Sequence, residues 1–407
     1  MVAAQPTVAF VWVWLPRAEE PVPAGRLDVD GSIITFTYGR RYLDRSDAIA
    51  LYEPGLPLQV GPQAPELGNV AGCIDDAGPD AWGKRVIEYR RGEQTPDGVG
   101  YLTYLLESST DRIGGLDFQP SPNGYVPRGL TAATFEELAD AAERVERGLP
   151  LNPALDAALL HGSSVGGARP KALIDVAQGP AIAKFSSSTD VFPFVKAECV
   201  SMVLAQKVGL DVAPVQLVEA FGKNVLLVRR FDRPAPRQRR IMISARTMLR
   251  LGPLGVGASY ADLADLIRER FTDPEETLGE LFARIVFNVL VGNTDDHAKN
   301  HAAFWDGTNL TLTPAYDICA QPRTGGEASQ AMAISRDGSN LSQVASCLRG
   351  AETYLRSEHE ARSIVDQQIA VIHDSWTEAC DVARLTAQER DMLWHGPVLN
   401  AFALQNL

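Results

Sequence analysis

The feature that most restricts the fold is a group of short apolar runs between residues 165 and 230. Each run spans four or five residues, a length typical of a buried strand and too short for a helix. One segment with helical spacing, Ala197 to Val208, interrupts them. This order predicts a sheet crossed by a single helix, with strands at 172–176, 181–185, 215–219 and 225–228.

The chain on either side of this region differs in character. Val8 to Leu15 and Ser32 to Tyr38 are strand-like, and a stretch rich in proline and glycine at 119–127 marks a boundary. Helical spacing predicts helices at 80–90, 134–147, 261–271, 275–291, 361–379 and 387–403. We therefore expect an α+β chain with a β-rich N-terminal subdomain (1–127), a first lobe (128–230) and an all-helical C-terminal lobe (231–407).

Composition and charge exclude several classes of protein. A formal net charge of −13 argues against a protein that coats nucleic acid, which needs clustered lysine and arginine. The five cysteines are scattered without a C-x-x-C pair, which predicts reduced thiols and no zinc ribbon. The apolar run near the N-terminus is short and has no basic residues before it. We expect neither a signal peptide nor a membrane span, and a cytoplasmic location.

The sharpest candidate for chemistry is the segment NTDDHAKN at 293–300. Asp295 and Asn300 are separated by four residues, which is the spacing of a kinase catalytic loop. In phosphoryl transfer the carboxylate orients and deprotonates the attacking hydroxyl, and the amide oxygen holds magnesium. A short strand-like run at 310–312 leads to Asp317, so Asn300 and Asp317 are the predicted metal ligands. Taken alone, the same spacing also suits an exposed turn whose aspartate caps a helix.

Two other active sites compete for this segment. His297 and His301 are four residues apart, as zinc ligands on a helix would be, but no glutamate follows His297 as in H-E-x-x-H. Asp296 and His297 are the candidates for two members of a nucleophilic triad, but the chain has no G-x-S-x-G serine. Both alternatives are weaker than the kinase interpretation.

Lys184 lies within the apolar run at 181–185, where its ammonium group needs an anionic partner. In a kinase that partner is the phosphates of ATP, and Glu198 at the start of the predicted helix is the natural residue to orient the lysine. The alternatives are a lysine on the solvent face of the strand and a glutamate that only complements the helix dipole.

The segment HGSSVGGARPK at 161–171 precedes this strand. Small residues such as Ser164, Val165, Gly166 and Gly167 let backbone amides approach phosphate oxygens closely. Because glycine-rich turns are common, the segment gains meaning only from its position before Lys184.

After the last strand-like run, backbone groups from Arg229 to Phe231 are candidates to bond the adenine edge at a hinge between lobes. A basic run continues through Arg237, Arg239 and Arg240. We interpret this run as a solvated loop, with a patch for an acidic or nucleic-acid partner as the alternative.

In this order the motifs resemble those of the HipA-like kinases, the toxin components of bacterial toxin-antitoxin pairs. The resemblance covers nearly the whole chain and adds RFDR at 230–233, TDDHAKN at 294–300 and LTPAYD at 312–317 to the segments above. It implies a two-lobed protein-kinase-like fold with ATP and Mg²⁺ as cofactors. The nucleotide would contact the loop from Ser164 to Gly167, Lys184, Arg229, Phe231, His297, Asn300 and Asp317.

The resemblance also implies partners and regulation. Family members typically phosphorylate an aminoacyl-tRNA synthetase on serine or threonine, and a helix-turn-helix antitoxin that binds DNA holds them inactive. DNA would then be contacted only through the antitoxin. Ser164 matches the loop serine that family members autophosphorylate, and the adjacent Ser163 is a second candidate.

Two residues depart from the family pattern, and two other functions stay open. Asp296 stands where the family often has glycine, which adds a charge beside Asp295, and Arg229 stands where glutamate is common. A small-molecule phosphotransferase on the same scaffold is one alternative function. A non-catalytic co-repressor bound to an antitoxin is the other, and the Lys184, Asp295, Asn300 and Asp317 set argues against it.

Overall fold

The computed structural model describes residues 5–92, 98–129, 134–147, 149, 164, 169–187, 190–220, 222–323, 326–394 and 396–407. Three sheets follow one another along the chain, and helices fill the spaces between and after them. In the described part of the chain, no helix combines the length and apolar character needed to cross a membrane.

The first sheet is antiparallel and has the order β4-β3-β2-β1-β5. Its strands are β1 (Val8–Val13), β2 (Val22–Asp30), β3 (Ile33–Tyr38), β4 (Pro62–Gln63) and β5 (Leu116–Gln119). Burial alternates along β3, where Ile34, Phe36 and Tyr38 face the core, as expected for a half-buried strand. Four helices accompany this sheet: α1 (Arg40–Leu43), α2 (Gly72–Asp76), α3 (Ala81–Arg91) and α4 (Tyr101–Glu107).

The stretch at 119–127 folds back onto this sheet instead of leaving it as an extended linker. The Tyr125 ring packs against Trp12 and Trp14, with centroids 5.5 and 5.4 Å apart. The Gln119 side chain donates a hydrogen bond to the carbonyl of Val126 at 3.1 Å. Proline and glycine here mark turns at the edge of the sheet.

The second sheet is antiparallel, with the order β6-β7-β9-β8. Its elements are β6 (Lys171–Val176), β7 (Gly179–Phe185), β8 (Val215–Ala220) and β9 (Lys223–Arg229), with α5 (Phe135–Arg147) before it and α6 (Phe194–Lys207) between β7 and β8. This is the predicted sheet with one crossing helix. Its core includes Phe185, Leu227 and, from α3, the fully buried Trp82, so a helix of the first segment packs against the second sheet.

The third segment carries most of the helices: α7 (Ala245–Met248), α8 (Tyr260–Arg270), α9 (Pro274–Val291), α10 (Val344–Arg349), α11 (Glu358–Val382) and α12 (Ala387–Leu393). Helix α9 is buried along most of its length and ends at Gly292, which adopts a left-handed conformation with φ of 68°. A side chain at Gly292 would lie 2.6 Å from the carbonyl oxygen of Pro397, so only glycine fits this cap. The turn at Gly292 begins the predicted catalytic loop.

Two expectations for this segment need correction. It is not all-helical, because β10 (Ile241–Ser244), β11 (Ala302–Trp305) and β12 (Leu310–Leu312) form a three-stranded sheet. Runs of three or four residues are too short for periodicity to identify them as strands. The helix predicted at 387–403 ends at Leu393, and Trp394 bridges to Val398 across a turn that contains Pro397.

Candidate active site

Seven of the predicted site residues, Ser164, Lys184, Arg229, Phe231, His297, Asn300 and Asp317, line a cavity of about 230 Å³ between the second sheet and the third segment. Asp295 and Glu198 are not among its lining residues. All three segments contribute to its walls. The lining residues are Asp75, Asp76, Gly78, Asp80, Ile113, Ser164, Lys171, Ile182, Lys184, Val228, Arg229, Arg230, Phe231, Asp232, Met242, Ser244, His297, Lys299, Asn300, Ala302, Tyr316 and Asp317. The cavity is therefore polar on one side and apolar on the other.

Lys184 makes two ion pairs at the polar side of the cavity. Its ammonium group lies 2.5 Å from Glu198 Oε1 and also contacts Asp317 Oδ1. Glu198 is the fifth residue of α6, not its first, and this position places it behind β7. Burial would lower the pKa of Lys184, but the carboxylates of Asp317 and Glu198 raise it above its ordinary value. Lys184 is therefore a permanent cation in the cavity.

Lys171 is a second buried cation that the sequence analysis did not select. It pairs with Lys184 in the register of β6 and β7, and it is only 8% exposed. Burial and the charge of Lys184 lower the pKa of Lys171 to about 8. A sequence signal for Lys171 existed, because this lysine directly precedes an apolar run after the glycine-rich segment. The structure adds that Lys171 lies opposite Lys184 on the neighbouring strand.

Asp295 is exposed on the predicted catalytic loop. Burial raises its pKa, the charges of Asp317 and Asp296 raise it further, and His297 opposes the shift. The side-chain amide nitrogen of Asn300 donates to the backbone carbonyl of Asp295 at 3.2 Å, and the backbone N–H of Asn300 donates to the carbonyl of His297 at 2.8 Å. These bonds close the loop and leave the Asn300 amide oxygen as the atom that can bind a cation.

Asp317 enters the cavity from the segment after β12. Its φ is 61°, a left-handed conformation that aspartate tolerates better than most residues. The charge of Lys184 lowers the pKa of Asp317 well below its ordinary value despite burial. The chain just before Asp317 is fixed, since the Tyr316 hydroxyl donates to the carbonyl of Lys299 at 2.7 Å and the backbone N–H of Ala315 donates to that of Asp211 at 2.8 Å.

Of the predicted phosphate loop, only Ser164 lies within the described residues. Its side chain is buried and donates a hydrogen bond to the backbone carbonyl of Asp111 at 2.9 Å. Ser163, Val165, Gly166 and Gly167 lie outside the described residues. The structure thus brings Ser164 to the cavity wall beside the N-terminal subdomain.

Two backbone N–H groups of the predicted hinge are already bonded within the protein. The backbone N–H groups of Arg229 and Arg230 donate to the carbonyls of Pro214 and Pro180, at 2.9 and 3.0 Å. Neither amide is free to bond a base. Phe231 instead contributes its ring, which packs against Tyr316 with centroids 5.7 Å apart.

Residues 163–376 match the family model described as the HipA-like C-terminal domain, which is more than half of the chain. The chain belongs to the HipA-like family. This confirms the resemblance that the ordered motifs indicated.

Known relatives share this similarity over part of their length. The HipA-like chain is 28% identical over 235 residues to the putative kinase Y4mE of Sinorhizobium fredii, covering 55% of this chain and 53% of that protein. It is 28% identical over 159 residues to the serine/threonine-protein kinase toxin HipA of Shewanella oneidensis, covering 32% of this chain and 36% of that protein. The matched regions therefore span about half and about a third of these relatives.

A solved structure extends the comparison of the fold. A chain in the complex of HipA, HipB and operator DNA from Shewanella oneidensis MR-1 superposes with a TM-score of 0.67 at 18% identity. The match covers 92% of the HipA-like chain and 93% of that chain. The predicted α+β kinase-like fold class is confirmed.

His297 and His301 do not form a metal site together. His297 lines the cavity, whereas His301 is buried and its Nε2 lies 2.9 Å from Asp296 Oδ2. Among the described residues, no group of three or more histidine, cysteine, aspartate or glutamate side chains is arranged to hold a metal. Asp296 is buried and is not among the residues that line the cavity, although its charge still raises the pKa of the adjacent Asp295.

Two of the three arginines in the basic run after the hinge, Arg237 and Arg240, are exposed, as expected of a solvated loop. Arg240 also lies 3.3 Å from the centroid of Phe304. Arg239 is half-buried: it lies 3.7 Å from the centroid of the Trp14 ring, and its guanidinium donates to the carbonyl of Thr110 at 2.8 Å. The contacts of Arg239 join the third segment to the first.

Proposed function

We propose that this HipA-like chain is an ATP-dependent protein kinase that transfers a phosphoryl group to a serine or threonine. The observation that carries the proposal is that Lys184, Asn300 and Asp317 line one cavity, although they come from separate parts of the chain. Glu198 is paired with Lys184 behind this wall, and Asp295 is bonded to Asn300 through its backbone carbonyl. Two of the relatives it resembles are named as a kinase and as a serine/threonine-protein kinase toxin.

Each wall of the cavity suits a part of ATP. Ile182, Val228, Phe231 and Tyr316 offer apolar and aromatic faces for the adenine ring. Lys184 and Lys171 present two ammonium groups to the phosphates, and Glu198 keeps Lys184 in place. Ser164 and the loop that follows it would close over the phosphates.

The residues present fit a magnesium ion. Mg²⁺ is usually held by one or two carboxylates together with waters and substrate phosphates, and it does not need a cage of protein ligands. Asp317 has a carboxylate oxygen beyond the one that meets Lys184, and Asn300 has its amide oxygen. When bound, the ion would neutralise charge on the phosphates. We assign Asn300 and Asp317 as its protein ligands.

Asp295 would orient the attacking hydroxyl and accept its proton. Its raised pKa makes this carboxylate a stronger base than an ordinary aspartate, and its exposure leaves it accessible to a substrate side chain. Asn300, which bonds the carbonyl of Asp295, holds base and metal ligand in a fixed relation.

We extend the proposal to the biology that the family suggests. The chain would act in the cytoplasm as the toxin of a toxin-antitoxin pair, with a helix-turn-helix antitoxin and an aminoacyl-tRNA synthetase as partner and substrate. Autophosphorylation would fall on Ser164 or Ser163. The three units would be 1–127, 128–230 and 231–407, with α3 shared between the first two through Trp82.

The experiment uses the purified full chain with ATP labelled at the γ-phosphate and Mg²⁺. We expect label on protein, at Ser164 or Ser163 by mass spectrometry, and growth arrest on expression, with phosphoproteomics of the arrested cells identifying the substrate. Label that appears only on added sugars or antibiotics would instead assign a small-molecule phosphotransferase. No transfer to any acceptor would overturn the proposal.

A further inference from the structure

Asp296 follows the proposed base directly, yet its side chain enters the interior. It is 3% exposed, and one carboxylate oxygen, Oδ2, receives three hydrogen bonds. The donors are the Tyr260 hydroxyl at 2.5 Å, the Asn288 amide nitrogen at 2.7 Å and His301 Nε2 at 2.9 Å. Because an ionised carboxylate can only accept, His301 carries its proton on Nε2.

The three donors belong to three different parts of the third segment. Tyr260 begins α8, Asn288 lies in the last turns of α9, and His301 directly precedes β11. Helix α9 leads into the catalytic loop and β11 follows it, so Asp296 ties both ends of the loop to one point and braces them against α8. Asn293 extends the network by donating to the Asn288 amide oxygen at 3.0 Å.

We propose that Asp296 is the positioning residue for Asp295. Adjacent residues share a peptide unit, so fixing the buried carboxylate of Asp296 fixes the backbone from which the Asp295 side chain projects. A misplacement of about 1 Å at a reacting group can reduce a rate about 10²-fold. This inference rests on the proposed function for its effect on rate, but its effect on the loop can be measured without activity.

The two lysines that would bind the phosphates are held outside this network, because Lys171 and Lys184 stand on β6 and β7. Loss of the Asp296 anchor should therefore change the position of the base while leaving the contacts of these lysines with the nucleotide in place. A merely structural role would lower the melting temperature without separating kcat from KM.

The first measurement compares phosphotransfer by Asp296→Ala, Asp296→Asn and Tyr260→Phe with the parent chain. We expect kcat to fall about 10²-fold for Asp296→Ala, with KM for ATP changed less than about threefold. Asp296→Asn retains a carbonyl oxygen that can accept from the same donors, so it should recover at least tenfold of that loss. Tyr260→Phe removes one donor of three and should cost about tenfold or less.

Asp306→Ala is the matched control. Asp306 also accepts two bonds in a turn, from the backbone N–H groups of Thr308 and Asn309 at 2.8 and 2.7 Å, but it is exposed and outside the cavity. Its kcat and KM should equal those of the parent. Equal kcat for Asp296→Ala and the parent, or a rise in KM alone, would overturn the proposal.

The second measurement is hydrogen exchange of the peptide covering 293–300 in the same variants, which needs no acceptor substrate. We expect exchange at least tenfold faster in Asp296→Ala, with α9 unchanged up to residue 287 and Tyr260→Phe intermediate. If this peptide exchanges at the parent rate in Asp296→Ala, the positioning role is wrong. If exchange accelerates but the parent chain transfers no phosphate, the anchor stands and the proposed kinase function fails.

Discussion

Two buried clusters of charge contribute to the walls of the cavity and differ in how completely their members are paired. At the hinge, Arg230 and Arg233 share the carboxylates of Asp111 and Asp232, with pairs between 2.7 and 3.0 Å. In the second cluster, at the proposed catalytic loop, Lys184 forms ion pairs with Glu198 and Asp317. The pKa of Lys171 is lowered and that of Asp295 is raised, and among the described residues neither group has an ion pair as short as those at the hinge.

The hinge cluster is saturated. The two guanidinium groups also donate to the carbonyl of Arg112, and the backbone N–H of Gly114 donates to Asp232 at 2.7 Å. Burial would raise the pKa of Asp232, but Arg230 and Arg233 outweigh it and lower that pKa. Every strong donor here is used within the protein, so this cluster fixes the first segment to the hinge.

The cluster at the proposed catalytic loop has donor and acceptor atoms that are not fully used within the protein. Lys171, Asn300 and the second oxygen of Asp317 face the cavity without the dense bonding of the hinge. The comparison teaches that buried charge alone does not identify an active site. The distinguishing feature is buried charge that still has donor or acceptor capacity toward a cavity.

The largest effect should follow from breaking the catalytic cluster at Asp317. We expect Asp317→Asn to reduce phosphotransfer by at least about 10²- to 10³-fold. Asp317 is both the proposed metal ligand and an ion-pair partner of Lys184, and the substitution removes its charge. Its side chain is 43% exposed, so the free energy of unfolding should change by less than about 1 kcal/mol. Label transfer and urea unfolding measure the two quantities. A variant that keeps its activity would contradict the assignment.

The hinge cluster should show the opposite pattern. We expect Asp232→Ala to lower the free energy of unfolding by about 3–5 kcal/mol, because it leaves two buried guanidinium groups with one carboxylate. The midpoint of urea unfolding gives this value. A decrease in the free energy of unfolding below about 1 kcal/mol would show that the hinge cluster does not stabilise the contact between the first segment and the hinge.

A third test concerns Lys171, whose pKa is lowered to about 8. The lysine must be charged to attract phosphate, so affinity for a non-hydrolysable ATP analogue should be highest below pH 8 and fall about tenfold between pH 7 and pH 9. Lys171→Met should bind about tenfold more weakly at pH 7 and lose this pH dependence. Calorimetric titration at both pH values is the measurement, and a parent chain with pH-independent affinity would remove Lys171 from the phosphate contacts.

The smallest effect should come from an exposed ion pair that belongs to neither cluster. Arg336 lies 2.7 Å from Asp265, with side chains 54% and 46% exposed. We expect Asp265→Ala to change the free energy of unfolding by about 0.2–1 kcal/mol, with activity intact. The same urea titration measures it, and a cost as large as that of Asp232→Ala would show that burial does not separate the two kinds of pair.

The sequence predicted the catalytic side of this comparison better than the hinge. Asp295, Asn300 and Asp317 were found by spacing, and Lys184 and Glu198 by a lysine in an apolar strand followed by a helix. Local pattern suffices for these because each sits on a recognisable element. The four-stranded sheet and its helix were predictable for the same reason.

What escaped prediction depends on partners distant along the chain. Arg230 meets Asp111 across 119 positions, and no local pattern signals that contact. The burial of Asp296 depends on Tyr260, 36 positions away, so the sequence alone left its charge beside the base. The short strands β10 and β11 were missed because their pairing, not their length, defines them, whereas β12 was predicted as the short run before Asp317.

The most direct test of the central claim is Asp295→Asn measured beside Asp306→Asn. We predict that Asp295→Asn binds the ATP analogue as the parent does and unfolds at a similar urea concentration, yet transfers label at least about 10²-fold more slowly. Asp306→Asn should match the parent in all three measurements. If purified Asp295→Asn still phosphorylates itself at the parent rate, Asp295 is not the base and the catalytic assignment is wrong.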